Sequence, residues 1–314
     1  MSAAVVDQTA EPAEAPRLRR RRRVSPALWF VAPFGIAFAL FFLVPIGYAV
    51  YQSLFKTTSS GLGLTAPTRS FVGLDNYGDA LSSSDFRSSI GRVLVFGVIQ
   101  VPIMIFAATV LALLLESGRT YFTRFFRVSY FLPYGVPGVI ASLLWGFLYV
   151  PATSPIVDVL GHVGVHADFL SSSSILGSIV NIVTWEFAGY NMLILIAALQ
   201  GIPGDLYEAA RVDGAGPWRI AWHIKLPLLR PAIILSTVFT IIGTLQLFAE
   251  PLVLKPLTTA INSNYTPNLS AYNQAFSNDN YSLAAAQAVI VALIAFVLSF
   301  GFLRIVNRKG RRAW

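Results

Sequence analysis

No cysteine occurs among the 314 residues, which removes disulfides, thiolate metal sites and thiol nucleophiles together. Histidine is almost as scarce, with three scattered copies at His162, His166 and His223, so no histidine-based metal centre is expected. There is no Gly-Lys dipeptide and therefore no phosphate cradle of the Walker A type, so the chain does not hydrolyse ATP by itself. Charge is sparse: 12% of residues are charged, against about 25% in an average soluble domain. What fills the space is apolar, 55% of the chain, and that combination describes an integral membrane protein. The net charge of +8 does not imply a nucleic-acid partner, because the arginines gather beside long apolar runs, where membrane orientation accounts for them.

A membrane-crossing helix needs roughly 20 apolar residues. Six windows qualify, at 28–50, 90–115, 126–149, 175–200, 231–252 and 283–306, so the fold class is all-α and polytopic. These spans make up a transmembrane unit over 26–307, flanked by a disordered basic tail over 1–25 and a short basic tail over 308–314. The first window follows an arginine run and has a second reading as a signal peptide. Its length exceeds the usual apolar core of roughly 7–15 residues and it has no convincing small-residue cleavage site, which favours a retained span.

Cytoplasmic flanks collect Lys and Arg because translocating them is unfavourable. With six spans, Arg17 and Arg19 to Arg23, then Arg119, Arg124 and Arg127, then Arg211, Arg219, Lys225 and Arg230, and finally Arg304 to Arg312 all fall on one side. The opposite connections hold only Lys56, Arg69, Arg87 and Lys255, so both termini are expected in the cytoplasm.

The longest charged interruption on that side is the insert 201–230. Asp205 is placed to cap a short helix starting near Leu206, with Glu208 three residues on as the acidic partner of a capping box. Asp213-Gly214 supplies turn chemistry, Gly216 offers a second residue free to take positive φ, and Pro217 fits the first turn of another helix that should end before Leu226-Pro227. Leu206, Ala209 and Ala210 share one face, and Glu208 and Arg211 can pair on another. Two readings stand: a helix docked against a partner, or an amphipathic loop resting on lipid head groups with Trp218 and Trp222 as anchors.

Glu208-Ala-Ala210, Asp213-Gly-Ala215 and, eight residues later, Ile224-Lys-Leu-Pro227 together resemble the cytoplasmic "EAA" loop of the membrane subunits of bacterial ABC importers. Gly201-Ile-Pro203, Leu228-Leu-Arg-Pro231, Phe71-Val-Gly-Leu-Asp-Asn-Tyr77 and Phe131-Leu-Pro-Tyr-Gly-Val-Pro137 with Trp145 extend the likeness to carbohydrate permeases of the maltose type. The resemblance implies that Glu208, Ala209, Ala210, Asp213, Gly214, Ala215, Ile224, Leu226 and Pro227 form a coupling loop seated on a cytoplasmic ATPase. It further implies a second homologous permease, two ATPase subunits holding ATP and Mg, and an extracytoplasmic solute-binding protein. This chain would bind no cofactor and would be a transport subunit rather than an enzyme.

For the passage, Glu186 stands in mid-span, where an ionisable group costs about 3 kcal/mol or more unless it faces a cavity or partner. A carboxylate accepts from adjacent sugar hydroxyls and an aromatic ring stacks on a sugar face, so Trp185, Glu186 and Tyr190 suit a polyol. A structural hydrogen bond to a neighbouring span is the competing role, for which Asn181 and Asn191 are also suited. Tyr134 lies between Pro133 and Pro137, which permit a broken helix, and Gln246 lies well inside the fifth span. By resemblance, Tyr134, Glu186, Phe187 and Gln246 fall near the family's substrate path. Glu250 is read as interfacial and Arg92 as snorkelling to head groups.

The expected cargo is a sugar or oligosaccharide. A polyol phosphate such as glycerol phosphate is the alternative within the family, and a basic cavity would favour it. An ion-coupled secondary transporter would be self-sufficient and commonly shows internal repeats, which are not evident here. A membrane enzyme would need a constellation such as His162 and His166 with Asp158 and Asp168, but Gly161 and Gly164 disfavour the helix that a metal pair four residues apart requires.

Overall fold

The computed structural model describes residues 26–58, 68–117 and 121–310; the arginine run before the first span, Arg119 and the last four residues lie outside them. The described residues are mostly helical: α1 (Pro26–Phe38), α2 (Val44–Ser53), a hairpin of β1 (Phe55–Thr58) and β2 (Thr68–Phe71), α3 (Asp75–Ser82), α4 (Ser84–Glu116), α5 (Thr123–Phe131), α6 (Gly138–Tyr149), α7 (Pro155–His162), α8 (Ile175–Gln200), α9 (Asp205–Val212), α10 (Pro217–Ile220), α11 (Leu226–Leu245), α12 (Ala249–Leu254), α13 (Pro267–Phe276) and α14 (Tyr281–Gly310). Five helical stretches among them are long and apolar enough to cross a membrane, and the bent pair α5 and α6 makes a sixth when the two are taken as one broken span.

The chain divides into two compact units, Met1–Gly47 and Tyr48–Trp314. In the first, Phe34, Phe38 and Phe42 recur every four residues and stack at centroid distances of 6.2 and 5.4 Å. A π-helical turn over Ala39–Leu43 joins α1 to α2, and another over Ala221–Lys225 joins α10 to α11. Each ends two residues before a proline, Pro45 and Pro227. A proline ring clashes with the carbonyl four residues back, here Phe41 or His223 inside the π turn, and the wider turn makes room for it. The second helix of the insert therefore does not end before Leu226-Pro227, as its sequence suggests; it runs on into the fifth span.

In the second unit α4 and α8 form the spine. Ala108 and Ala112 are fully buried and, one turn apart, let α4 approach Met192, Leu195 and Leu199 of α8 closely. A second apolar cluster joins Phe96 and Met104 of α4 to Ile179, Ile182 and Val183 of α8 and to Leu245, Leu247 and Leu254 around the fifth span. Polar ties hold neighbouring spans: Thr244 Oγ1 donates to Gln100 Oε1 at 2.8 Å, and Asn181 Nδ2 donates to Tyr149 Oη at 2.8 Å. At Gly189 on α8 the backbone of α5 passes so close that an added Cβ would overlap the Tyr130 carbonyl and lie 2.9 Å from Phe131 Cα.

The segment Phe71 to Tyr77 stitches loop to helix. Gly73 takes φ +59° to turn β2 into α3, and buried Asn76 donates to the Ser53 and Phe55 carbonyls at 2.7 and 2.8 Å. Arg92, expected to snorkel, instead donates to the Tyr265 carbonyl at 2.6 Å and lies 4.5 Å from that ring's centre, tying α4 to the loop before α13. The segment thought too glycine-rich for a helix does form one, α7, capped by Ser154, and it ends as Gly164 takes φ +79°, which leaves His166 beyond it.

Candidate functional site

Two helix breaks create the central cavity. In the third span, Val136 precedes Pro137 and is extended, at φ −86° and ψ 125°, because a residue before proline is crowded out of the helical region. The chain bends by 100° between α5 and α6. In the fifth span, expected to run unbroken through Leu252, α11 stops at Leu245 and α12 starts at Ala249. The carbonyl of Leu245, freed at this break, accepts from Asn268 Nδ2 at 3.0 Å. Irregular backbone at membrane depth is tolerated where it lines a cavity and its groups find partners.

Between the breaks, α4 and α8 enclose a cavity of about 520 Å³ whose lining includes Gln100, Tyr134, Glu186, Phe187, Tyr190, Asn191, Gln246 and Glu250. Of the residues read from sequence as the substrate path, Tyr134, Glu186, Phe187 and Gln246 meet here. Trp185 does not line it; its ring packs edge-on against Trp145 at 5.9 Å, on the side of α8 that binds α6. Tyr134 stacks on Tyr190 at 4.6 Å and meets Phe187 edge-on at 5.7 Å, forming an aromatic wall.

Two buried acceptors, Glu186 Oε2 and Asn191 Oδ1, have no hydrogen-bond partner among the described residues, although Asn191 donates its amide to its own helix at the Phe187 carbonyl. The Glu186 carboxylate lies against Gly138 at the start of α6, where an added Cβ would lie 3.5 Å from Oε1, so the missing side chain leaves room for it. Glu250, read from sequence as interfacial, is buried and lines the same cavity. Gln100 went unnoticed because it is one amide in an otherwise apolar stretch, and only its register toward α11 reveals its place.

The insert 201–230 forms the helix, turn and helix its composition suggests. Glycine 214 adopts φ +77°, the Ala215 amide donates to the Ala210 carbonyl at 2.8 Å, and Gly214 N donates to Arg211 O at 3.0 Å. That paired arrangement closes α9 with a Schellman motif. Its start differs from expectation: Asp205 lies inside the first turn and makes no capping hydrogen bond, so its charge acts only on the helix dipole. Gly216 is extended at φ −71°, and Pro217 opens α10.

Glu208 and Arg211 form no ion pair. Along α9 only Tyr207 and Ala210 retreat from solvent, whereas Leu206, Glu208, Ala209, Val212, Asp213 and Gly214 are exposed, as are Trp218 and Trp222 beyond it. Ile224 and Leu226 are half-buried and Pro227 is exposed.

Residues 87–312 match the family model described as binding-protein-dependent transport system inner membrane component. The lactose transport system permease protein LacF of Rhizobium radiobacter is 32% identical over 280 residues, 86% of this chain and 90% of its own length. The sn-glycerol-3-phosphate transport system permease protein UgpA of Agrobacterium fabrum is 30% identical over 89% of this chain and 94% of its own. In fold, the chain is similar to a crystal structure of a bacterial ABC transporter involved in the import of the acidic polysaccharide alginate, with a TM-score of 0.75 at 21% identity over 90% of this chain and 96% of that one. By the length of these matches, the chain belongs to the binding-protein-dependent transport system inner membrane component family.

Proposed function

We propose that this chain forms half of the passage by which an ATP-driven importer admits a sugar or oligosaccharide across the bacterial inner membrane. The other parts are a second homologous permease, two cytoplasmic ATPase subunits that hold ATP and Mg, and an extracytoplasmic binding protein that delivers the cargo. The transmembrane unit spans 26–307 with both termini in the cytoplasm, and the insert 201–230 faces the ATPase. Exposed Leu206, Glu208, Ala209 and Val212 suit a lever gripped by a partner better than a helix lying on lipid, which is normally basic on its polar face.

The cavity carries the reading of the cargo. It offers ring faces from Tyr134 and Tyr190 and unpaired acceptors on Glu186 and Asn191, and its lining contains Glu186 and Glu250 but no Lys, Arg or His. Hydroxyl donors satisfy such a surface, whereas on this half of the passage a phosphate would meet two carboxylates and, among the described residues, no cation. Lactose is the named cargo of one relative and sn-glycerol-3-phosphate of another, and this chain's own lining favours the first chemistry.

The test is uptake of labelled lactose, maltotriose and glycerol 3-phosphate by cells expressing the full transporter. Sugar uptake with glycerol phosphate refused is expected; the reverse would establish the polyol-phosphate reading. Loss of a charged hydrogen bond is worth about 1.5–3 kcal/mol, so Glu186→Ala should lower sugar uptake by roughly tenfold or more with the complex still assembled. Unchanged uptake would return Glu186 to a structural role.

A further inference from the structure

We propose that Tyr207, Lys225 and Glu116 form the joint through which movement of α9 passes into the second and fifth spans. This rests on the reading of α9 as the ATPase lever and names how the lever is fastened. Lys225 Nζ pairs with the Glu116 carboxylate, and the two side chains are only 12% and 19% exposed. The same ammonium lies 5.1 Å from the centre of the Tyr207 ring. The Tyr207 hydroxyl is buried with no hydrogen-bond partner among the described residues, and burial first, then the Glu116 carboxylate, push its phenol above the ordinary tyrosine range. The ring is therefore held in the same pocket as the ion pair.

Three elements meet at this point. Tyr207 is one of two α9 residues that turn inward, Glu116 is the last residue of α4, and Lys225 closes the π turn that leads into α11. Both receiving helices reach the central cavity, α4 through Phe96, Gln100 and Met104 and α11 through Phe239, Thr240 and Thr244. From Glu116 to Met104, which lines the cavity, is about 18 Å of proline-free helix at 1.5 Å per residue, and Pro102 interrupts the amide ladder only beyond it. A shielded ion pair resists separation more than an exposed one, and a π turn is a place where a helix shifts register. A pull on α9 thus reaches both cavity walls at once.

The cysteine-free chain permits a test that needs no knowledge of the cargo. Thr240→Cys in the assembled transporter is labelled with a cationic methanethiosulfonate, without nucleotide and with ATP plus vanadate, and the rates on this chain are compared. With the joint intact, the trapped state should change the labelling rate at least fivefold. In Tyr207→Ala, Glu116→Gln or Lys225→Met, that change should shrink below twofold while ATP hydrolysis by the recovered complex stays within about threefold; Tyr207→Phe and the exchange Glu116→Lys with Lys225→Glu should restore it. Unaltered responses in the three single variants would overturn the joint, as would loss of assembly that the exchange does not repair. Gly214→Val separates the two claims: a normal response there removes the lever itself, whereas loss there with unaltered responses in the joint variants removes only the joint.

Discussion

Gly214→Val should cut uptake at least tenfold while the chain still inserts, and Glu208→Lys should abolish it. At φ +77° an L-residue is strained by about 1–2 kcal/mol, and a β-branched one by more. Nothing lies within 4 Å of a Cβ placed there, so the penalty is conformational and not a clash. That distinction gives the prediction its control: Gly214→Asn, which tolerates left-handed backbone, should retain much more uptake than Gly214→Val. That strain opens the Schellman closure at Ala215 and Gly214, and the residues after α9 then leave the position a partner would grip. Glu208→Lys acts differently. It puts a cation in the first turns of α9, where the helix dipole favours an anion, and cancels the net negative charge that Asp205, Glu208 and Asp213 give this exposed face against Arg211. Recovery of ATPase with a tagged chain, measured beside uptake, checks both; normal uptake in either variant would remove the insert from the transport cycle.

The second large effect is on folding. Gly189→Ala should sharply reduce the amount of folded protein, because its methyl has backbone on the opposite side in place of a yielding side chain: the Tyr130 carbonyl and Phe131 Cα. Overpacking of this kind costs about 1–3 kcal/mol, and more where backbone must move. Displacing α5 would also shift Tyr134, three residues beyond Phe131, away from Tyr190. Detergent-extracted protein should therefore show both a lower melting temperature and less monodisperse material than Gly146→Ala, whose methyl would meet the movable Leu257 and Leu254 side chains. Equal stability of the two variants would show that α5 and α8 separate readily.

Much of this architecture was legible in the residues. Apolar length located the spans, Pro133 and Pro137 marked the broken third span, and Asp213-Gly214 announced the turn that closes α9. The fifth span's break has one local signal that an apolar window passes over: Pro251 has no amide hydrogen and its ring would crowd the carbonyl four residues back, at Leu247 inside the break, while Asn268 from another element holds the freed Leu245 carbonyl. Hydropathy registers the apolarity of this region and not its interruption, so Glu250 was assigned to the interface although the break turns it inward. Trp185 lies outside this cavity for a related reason: successive residues on a helix are turned by about 100°, so Phe187 shares the side of Glu186 and Trp185 turns toward α6. The Gly189 contact and the cluster of Tyr207, Lys225 and Glu116 depend on distant partners, and local pattern carries no trace of either.

As a lever held by an ATPase, α9 must face the cytoplasm. Glu208→Cys, the sole thiol in the chain, should react with a membrane-impermeant maleimide in inside-out vesicles and stay unlabelled in intact spheroplasts. Labelling in spheroplasts and protection in inside-out vesicles would place the lever on the wrong side of the membrane and contradict the account.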